Sequence, residues 1–146
     1  MMRLFIAVNF SDEAKHRIGA VQEQIKKTAE RGNYSLPENL HLTLVFLGET
    51  AEEHLPAIQD AMVHAVSAGE KPVPAFNLIF SKAGFFKRGG KELWHLEADN
   101  KNSDGFKQLT ALQSRLVSEL AARNFSIDSR PFSPHITLGR EIIRGP

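Results

Sequence analysis

The sequence predicts a fold of mixed strands and helices in which one strand–helix–strand unit is used twice. Three observations carry that prediction. Residues 39–48 contain His41-Leu42-Thr43-Leu44, and residues 133–139 contain an echo, His135-Ile136-Thr137-Leu138. Both copies lie in apolar runs rich in β-branched residues, which read as strands. Each is preceded by an amphipathic helical pattern, and cap and histidine are 30 residues apart from Ser11 to His41 and 32 from Ser103 to His135. A matched interval around a matched motif suggests a pseudo-two-fold axis that brings the two histidines face to face.

Residues 3–9 form the first strand, with Leu4, Ile6 and Val8 on one face and Phe5 and Ala7 on the other, as expected of a covered central strand. Ser11 then caps a helix with Asp12 and Glu13 in its first turn, an Ile18, Val21, Ile25 stripe, basic residues at its end, and a stop at Gly32-Asn33. The first histidine strand follows and closes at Gly48. Thr50 and Glu53 resemble a capping box, but Pro56 restricts the regular helix to a start near Leu55. Leu55, Ile58, Met62 and Val66 carry it to a stop near Gly69, and Pro72 and Pro74 mark a connector. Residues 76–81 and 92–98 alternate as strands, and residues 82–91 between them read as a loop with three glycines and four cations around Phe85-Phe86. Ser103 or Asp104 caps a third helix whose Phe106, Leu109, Leu112, Leu116 and Leu120 keep helical spacing until Asn124.

At 146 residues the chain has the length of a single domain, 1–146, able to bury a sizeable core. A net charge of +1 argues against holding nucleic acid by bulk electrostatics, and leaves a small phosphorylated ligand or a strand end as the fitting partner. The absence of cysteine excludes disulfides, thiolate catalysis and zinc–thiolate sites. The apolar run from Leu4 to Phe10 is too short to span a membrane and lacks a cleavage-site pattern, so a cytoplasmic location is expected.

Alternation puts His41 and Thr43 on one strand face and His135 and Thr137 on another, each imidazole and hydroxyl roughly 7 Å apart and suited to straddle a phosphate. Two imidazoles can work as base and acid together at neutral pH, one taking a proton from the attacking hydroxyl or water and the other giving one to the departing oxygen. The threonines would donate to the non-bridging oxygens as their charge rises. No metal is needed, and His16, His54, His64 and His95 show no ligand spacing for zinc. Arg140 is a third phosphate group by chemistry, although strict alternation points it away from His135; a bulge at Gly139 would re-aim it, and the alternative is a solvated arginine. The 82–91 segment offers Phe85 or Phe86 to a base, or is an exposed hairpin tip.

Arg3-Leu4-Phe5-Ile6-Ala7, Pro37-Glu38-Asn39-Leu40-His41-Leu42-Thr43-Leu44 with Phe46-Leu47-Gly48-Glu49, and Arg130-Pro131-Phe132-Ser133-Pro134-His135-Ile136-Thr137-Leu138 with Arg140 resemble the bacterial RNA 2′,3′-cyclic phosphodiesterases. That family was first named for 2′-5′ RNA ligase activity and belongs to the two-histidine phosphoesterases. The resemblance implies a bilobal α+β fold, with two mainly antiparallel sheets, outer helices and a central cleft between the lobes. It also implies metal-independent hydrolysis of a 2′,3′-cyclic phosphate on RNA ends or nucleotides to a 2′-phosphate, without a cofactor. By motif position His41 is the general acid and His135 the general base, with Thr43, Thr137 and Arg140 holding the phosphate. Alternatives are 2′-5′ ligation and a non-catalytic RNA-end or nucleotide binder. Family members usually continue past the second motif with a further strand. A chain ending at Pro146 is therefore expected to leave an open C-terminal sheet edge, through which two copies could pair as a homodimer.

Overall fold

The computed structural model describes residues 1–67, 73–100, 104–127 and 130–145. In chain order the elements are β1 (Met2–Val8), α1 (Asp12–Thr28), β2 (Ala29–Tyr34), β3 (Leu42–Thr50), α2 (Leu55–Ser67), β4 (Phe80–Arg88), β5 (Lys91–Ala98), α3 (Asp104–Ala122) and β6 (His135–Arg144). Single 3-10 turns occupy Pro37–Asn39 and Glu52–His54. No helix among the described residues is long and apolar enough to cross a membrane. The elements divide between two units whose segments alternate along the chain.

One unit comprises residues 1–7, 43–79 and 99–133. Its core is built from Ile6, Leu44 and Val45 on the strands and from Ile58, Ala61, Leu109, Leu116 and Leu120 on α2 and α3. β1 pairs with β3 and is an outer strand, not the covered central strand expected. Its second apolar face is an exposed cross-strand aromatic pair, Phe5 with Phe46 at 6.1 Å. α2 begins at Leu55, as Pro56 requires, but Thr50 does not cap it; Thr50 ends β3 and donates to the Gly48 carbonyl at 3.0 Å. α3 stops as expected: Asn124 takes the left-handed conformation, φ 67°, and Phe125 N donates to Leu120 O at 3.1 Å. Arg123 ties α3 to α2 through Asp60 at 2.7 Å. The expected stop at Gly69, the connector residue Pro72 and the Ser103 cap lie outside the described residues.

The other unit comprises residues 8–42, 80–98 and 134–146. Ser11 is extended and accepts from Ala14 N at 3.2 Å, so α1 starts where its cap dictates. It ends at Thr28, and residues 29–34, expected to hold the end of the helix and its Gly32-Asn33 stop, form β2. Ala-Glu-Arg-Gly-Asn-Tyr has no strand periodicity of its own and is drawn into a strand by antiparallel pairing with β6. Residues 76–79 are not a strand, and the expected 82–91 loop is an antiparallel hairpin in register from Lys82–Glu97 to Arg88–Lys91. Gly89 and Gly90 make its turn with φ 60° and 79°, the left-handed pair that matches strand twist in a two-residue hairpin.

β6 is the axis of this unit. It pairs with β5 on one side, and with β2 and the first residue of β3, Leu42, on the other. The C-terminal strand therefore has partners on both sides and does not itself present the open edge expected; beyond β5 the outer strand is β4. Ile18 and Ile25 of α1 bury with Leu96, Ile136, Leu138 and Ile142.

Two polar groups are built into this packing. Gln22 of α1, 7% exposed, donates its carboxamide hydrogens to Ser35 O and Leu138 O, both at 2.9 Å. Glu92, 4% exposed, takes Arg144 in a two-point grip, Nε on Oε1 and the terminal nitrogen on Oε2 at 2.9 Å each, and accepts Trp94 Nε1 at 3.1 Å. Arg144 also lies 4.7 Å over the Phe85 ring. Burial alone would raise the Glu92 pKa, but the Arg144 and Trp94 hydrogen bonds and the Arg144 charge outweigh it and hold the carboxyl below its usual 4.5.

Replacing Gln22 by Leu removes the carboxamide donor from Ser35 O and leaves Leu138 O with Ser35 N alone, and should lower stability by about 1–3 kcal/mol, read as a drop in the chemical-denaturation midpoint. A depressed carboxyl pKa contributes stability that is present above the unfolded value and is lost as pH falls through the folded value. Wild-type stability should therefore fall below about pH 4.5 with a component that Glu92→Gln removes, measured as the urea midpoint against pH.

Candidate active site

The unit organised by β6 contains His41, His135, Thr137 and Arg140; Thr43 begins the other unit. His41 does not lie in a strand, contrary to the expectation, but between the Pro37–Asn39 turn and β3, with its Nδ1 on the Asn39 carbonyl at 2.7 Å. A carbonyl only accepts, so Nδ1 is the donor in this contact. His135 opens β6 and is exposed, and Thr137 is half-buried two residues on.

Register determines what these side chains meet. Leu42 pairs with Ile136, both fully buried, and in an antiparallel ladder that brings position 41 beside position 137 on the opposite sheet face. On the other flank of β6, His135 faces Glu97 and Thr137 faces His95. Residues directly opposite one another share a face, so His41, Thr137, His135, His95 and Glu97 belong to one polar face. Continuing through the hairpin, Gly84, Phe86 and Lys82 lie on that face, opposite His95, Leu93 and Glu97. Phe85 falls on the reverse face with Trp94, 4.8 Å away. Of the two phenylalanines that sequence offers to a base, only Phe86, 67% exposed, lies on the histidine face.

His95 and Glu97 are the residues that sequence reasoning missed. His95 is 4% exposed, its Nε2 meets Glu97 Oε1 at 3.0 Å, and its ring stands edge-on to that of His135 at 5.8 Å. The available signal was their spacing of two within a strand, which gives them a common face. Among the described residues no three His, Asp or Glu side chains converge as metal ligands.

The bulge expected near Gly139 is present as two register shifts between β5 and β6, at Thr137 to Gly139 and at Gly139 to Ile142. The left-handed residue is Glu141, φ 51°, and not the glycine. Gly139 is required for space, since a Cβ there would come within 2.9 Å of Ile142 Cδ1 and 3.1 Å of Tyr34 Cδ1. Arg140 follows it, exposed and paired with Asn33 of β2. Asn33 Nδ2 donates to Glu141 at 3.0 Å, which steadies the bulged turn beside Arg140.

The fold recurs in solved structures. A crystal structure from Thermus thermophilus superposes with a TM-score of 0.73 at 28% identity, covering 99% of this chain and 77% of that one. Escherichia coli LigT complexed with 3′-AMP superposes at 0.69 and 29% identity, over 99% and 74%. In both, helices and an antiparallel sheet recur as they do here. The 2′-5′ RNA ligase superfamily model matches residues 10–144, and the chain belongs to that family. Relatives named RNA 2′,3′-cyclic phosphodiesterase include those of Thermus thermophilus, 36% identical over 99% of this chain and 71% of its own length, and Escherichia coli, 32% identical over 95% and 72%.

Replacing Gly139 by Ala should cost about 1–3 kcal/mol by overpacking Tyr34 and Ile142, seen as a lowered thermal midpoint.

Proposed function

We propose that this chain hydrolyses the 2′,3′-cyclic phosphate of RNA ends or nucleotides to a 2′-phosphate, by paired histidine acid–base catalysis without a metal. The observation that carries the proposal is the Leu42–Ile136 pairing, which brings His41 beside Thr137 on the sheet face that also bears His135. Family membership and relatives named for this activity support it.

In this reading water attacks phosphorus while His135 takes its proton. The P–O3′ bond breaks, and His41, with Nδ1 held by Asn39, delivers a proton from Nε2 to the departing O3′. Thr137 and Thr43 donate to the non-bridging oxygens, and Arg140 helps hold the phosphate. The pseudo-two-fold relation of the motifs and the central cleft are parts of the same proposal. The family name gives a second reading, 2′-5′ ligation: a 5′-hydroxyl replaces water as the group that attacks the cyclic phosphate, His135 takes its proton, and His41 again protonates the departing O3′, leaving a 2′-5′ phosphodiester. Phe86 presents its exposed ring to the base of the bound nucleotide.

A 2′,3′-cyclic nucleotide and a cyclic-phosphate-ended RNA, incubated with the protein in chelator, should both yield a 2′-phosphate. His41→Ala and His135→Ala should each lower kcat by about 10²–10⁴-fold. Binding without turnover by the wild type would make the chain an RNA-end binder and overturn the enzymatic reading. Phe86→Ala should raise KM by about tenfold, in keeping with the loss of one base–aromatic stack.

A further inference from the structure

Proton transfer tolerates little misplacement of the imidazole that performs it. The described structure sets a rigid group against His135. The His95 ring meets the His135 ring edge-on, 5.8 Å between centroids and 71° between planes. His95 is itself held on every side the structure describes. Its Nε2–H donates to Glu97 at 3.0 Å. Phe86 stacks on it at 5.0 Å and 21°. Gly84, opposite it on β4, leaves the space its ring needs, since a Cβ there would sit 3.3 Å from His95 Nε2.

A phenylalanine would fill the same slot more cheaply. The other ring nitrogen of His95, Nδ1, is buried with no hydrogen-bond partner among the described residues, a cost that packing alone would not incur. Retaining a nitrogen heterocycle at that cost calls for a use, and the group it touches is His135. The pair is also placed for it: Glu97 stands directly opposite His135, and His95 directly opposite Thr137.

We propose that His95, anchored by Glu97, is a positioning residue that holds the His135 imidazole in the orientation used for proton transfer. This deepens the hydrolytic reading and rests on His135 being its base. Charged or titratable groups on the same face are Glu97 from β5, Lys82 opposite it on β4, and His135 from β6 with His41 next to Thr137. Glu97 and Lys82 oppose each other in charge, so the orientation of His135, more than net charge, is what His95 governs.

The test uses His95→Phe, which keeps the ring and its packing but not the Glu97 anchor, and Glu97→Gln, at a side chain 43% exposed that should leave folding intact. Both are assayed in the full chain for kcat, KM and the kcat–pH profile on a 2′,3′-cyclic nucleotide. Nitrogen NMR reports the ring tautomer and titration of His135 without substrate. His95→Phe should lower kcat by about 10- to 100-fold with KM within about twofold, displace the pH profile, and change the His135 nitrogen shifts; Glu97→Gln should do the same to a smaller degree. Folded variants with wild-type kcat, pH profile and His135 shifts would overturn the proposal. A wild type without turnover would refute the hydrolytic reading alone. The His135 shifts would still decide the positioning role, supported when either variant moves them and overturned when neither does.

Discussion

The carboxamide of Gln22 is the contact on which the site-bearing unit depends. β6 departs from regular pairing just after Thr137, and a strand that does so leaves backbone groups without ladder partners. Within this stretch Leu138 O receives both Gln22 Nε2 at 2.9 Å and Ser35 N at 3.0 Å. Ser35 Oγ adds a bond to Thr137 O at 3.0 Å. One helix side chain and one loop residue thus hold the irregular backbone on which Thr137 and Arg140 sit. The arrangement also ties α1 to β6 across more than one hundred residues of chain.

The two faces of the sheet around β6 have been given different work. On one, Leu96, Ile136, Leu138 and Ile142 are buried, with the Glu92–Arg144 ion pair and the Phe85–Trp94 contact closing one end. The paired charges are fully hydrogen-bonded, the condition under which a buried carboxylate is tolerated. On the other, alternate residues of the same strands carry imidazoles, hydroxyls and a carboxylate. Because the side-chain period is two, each apolar residue that anchors the sheet to its core places a polar neighbour on the reactive face, Ile136 between His135 and Thr137 being the clearest case.

How much of this was legible in the sequence depended on distance along the chain. Ser11, Pro56 and Asn124 announced helix boundaries through local backbone chemistry, and the structure places those boundaries as they predict. The paired motifs were equally legible, since each is four consecutive residues. β2 was not, because a run without apolar alternation becomes a strand only when β6 lies beside it. The β4–β5 hairpin did carry its turn signal, Gly89-Gly90, but the cations and adjacent phenylalanines around it masked the alternation of the flanking strands. Gln22 and the His95–Glu97 pair were out of reach for one reason: their roles are set by partners on other elements, and register between strands is not written in either strand alone.

The alternation of the two units along the chain, with crossings at 7–8, 42–43, 79–80, 98–99 and 133–134, bears on how the protein could be taken apart. A single break at any of these points leaves pieces that do not contain both units whole. A fragment 1–79 would hold α1 and β2 without the β6 they pack on, and 80–146 would hold α3 without α2 and β3. Each fragment would expose apolar surface that only the other can cover. Modular shuffling of the halves is therefore closed to this topology, whereas complementation is open to it: two separately produced fragments would regain both cores, and both His-x-Thr motifs, only by reassembling with each other.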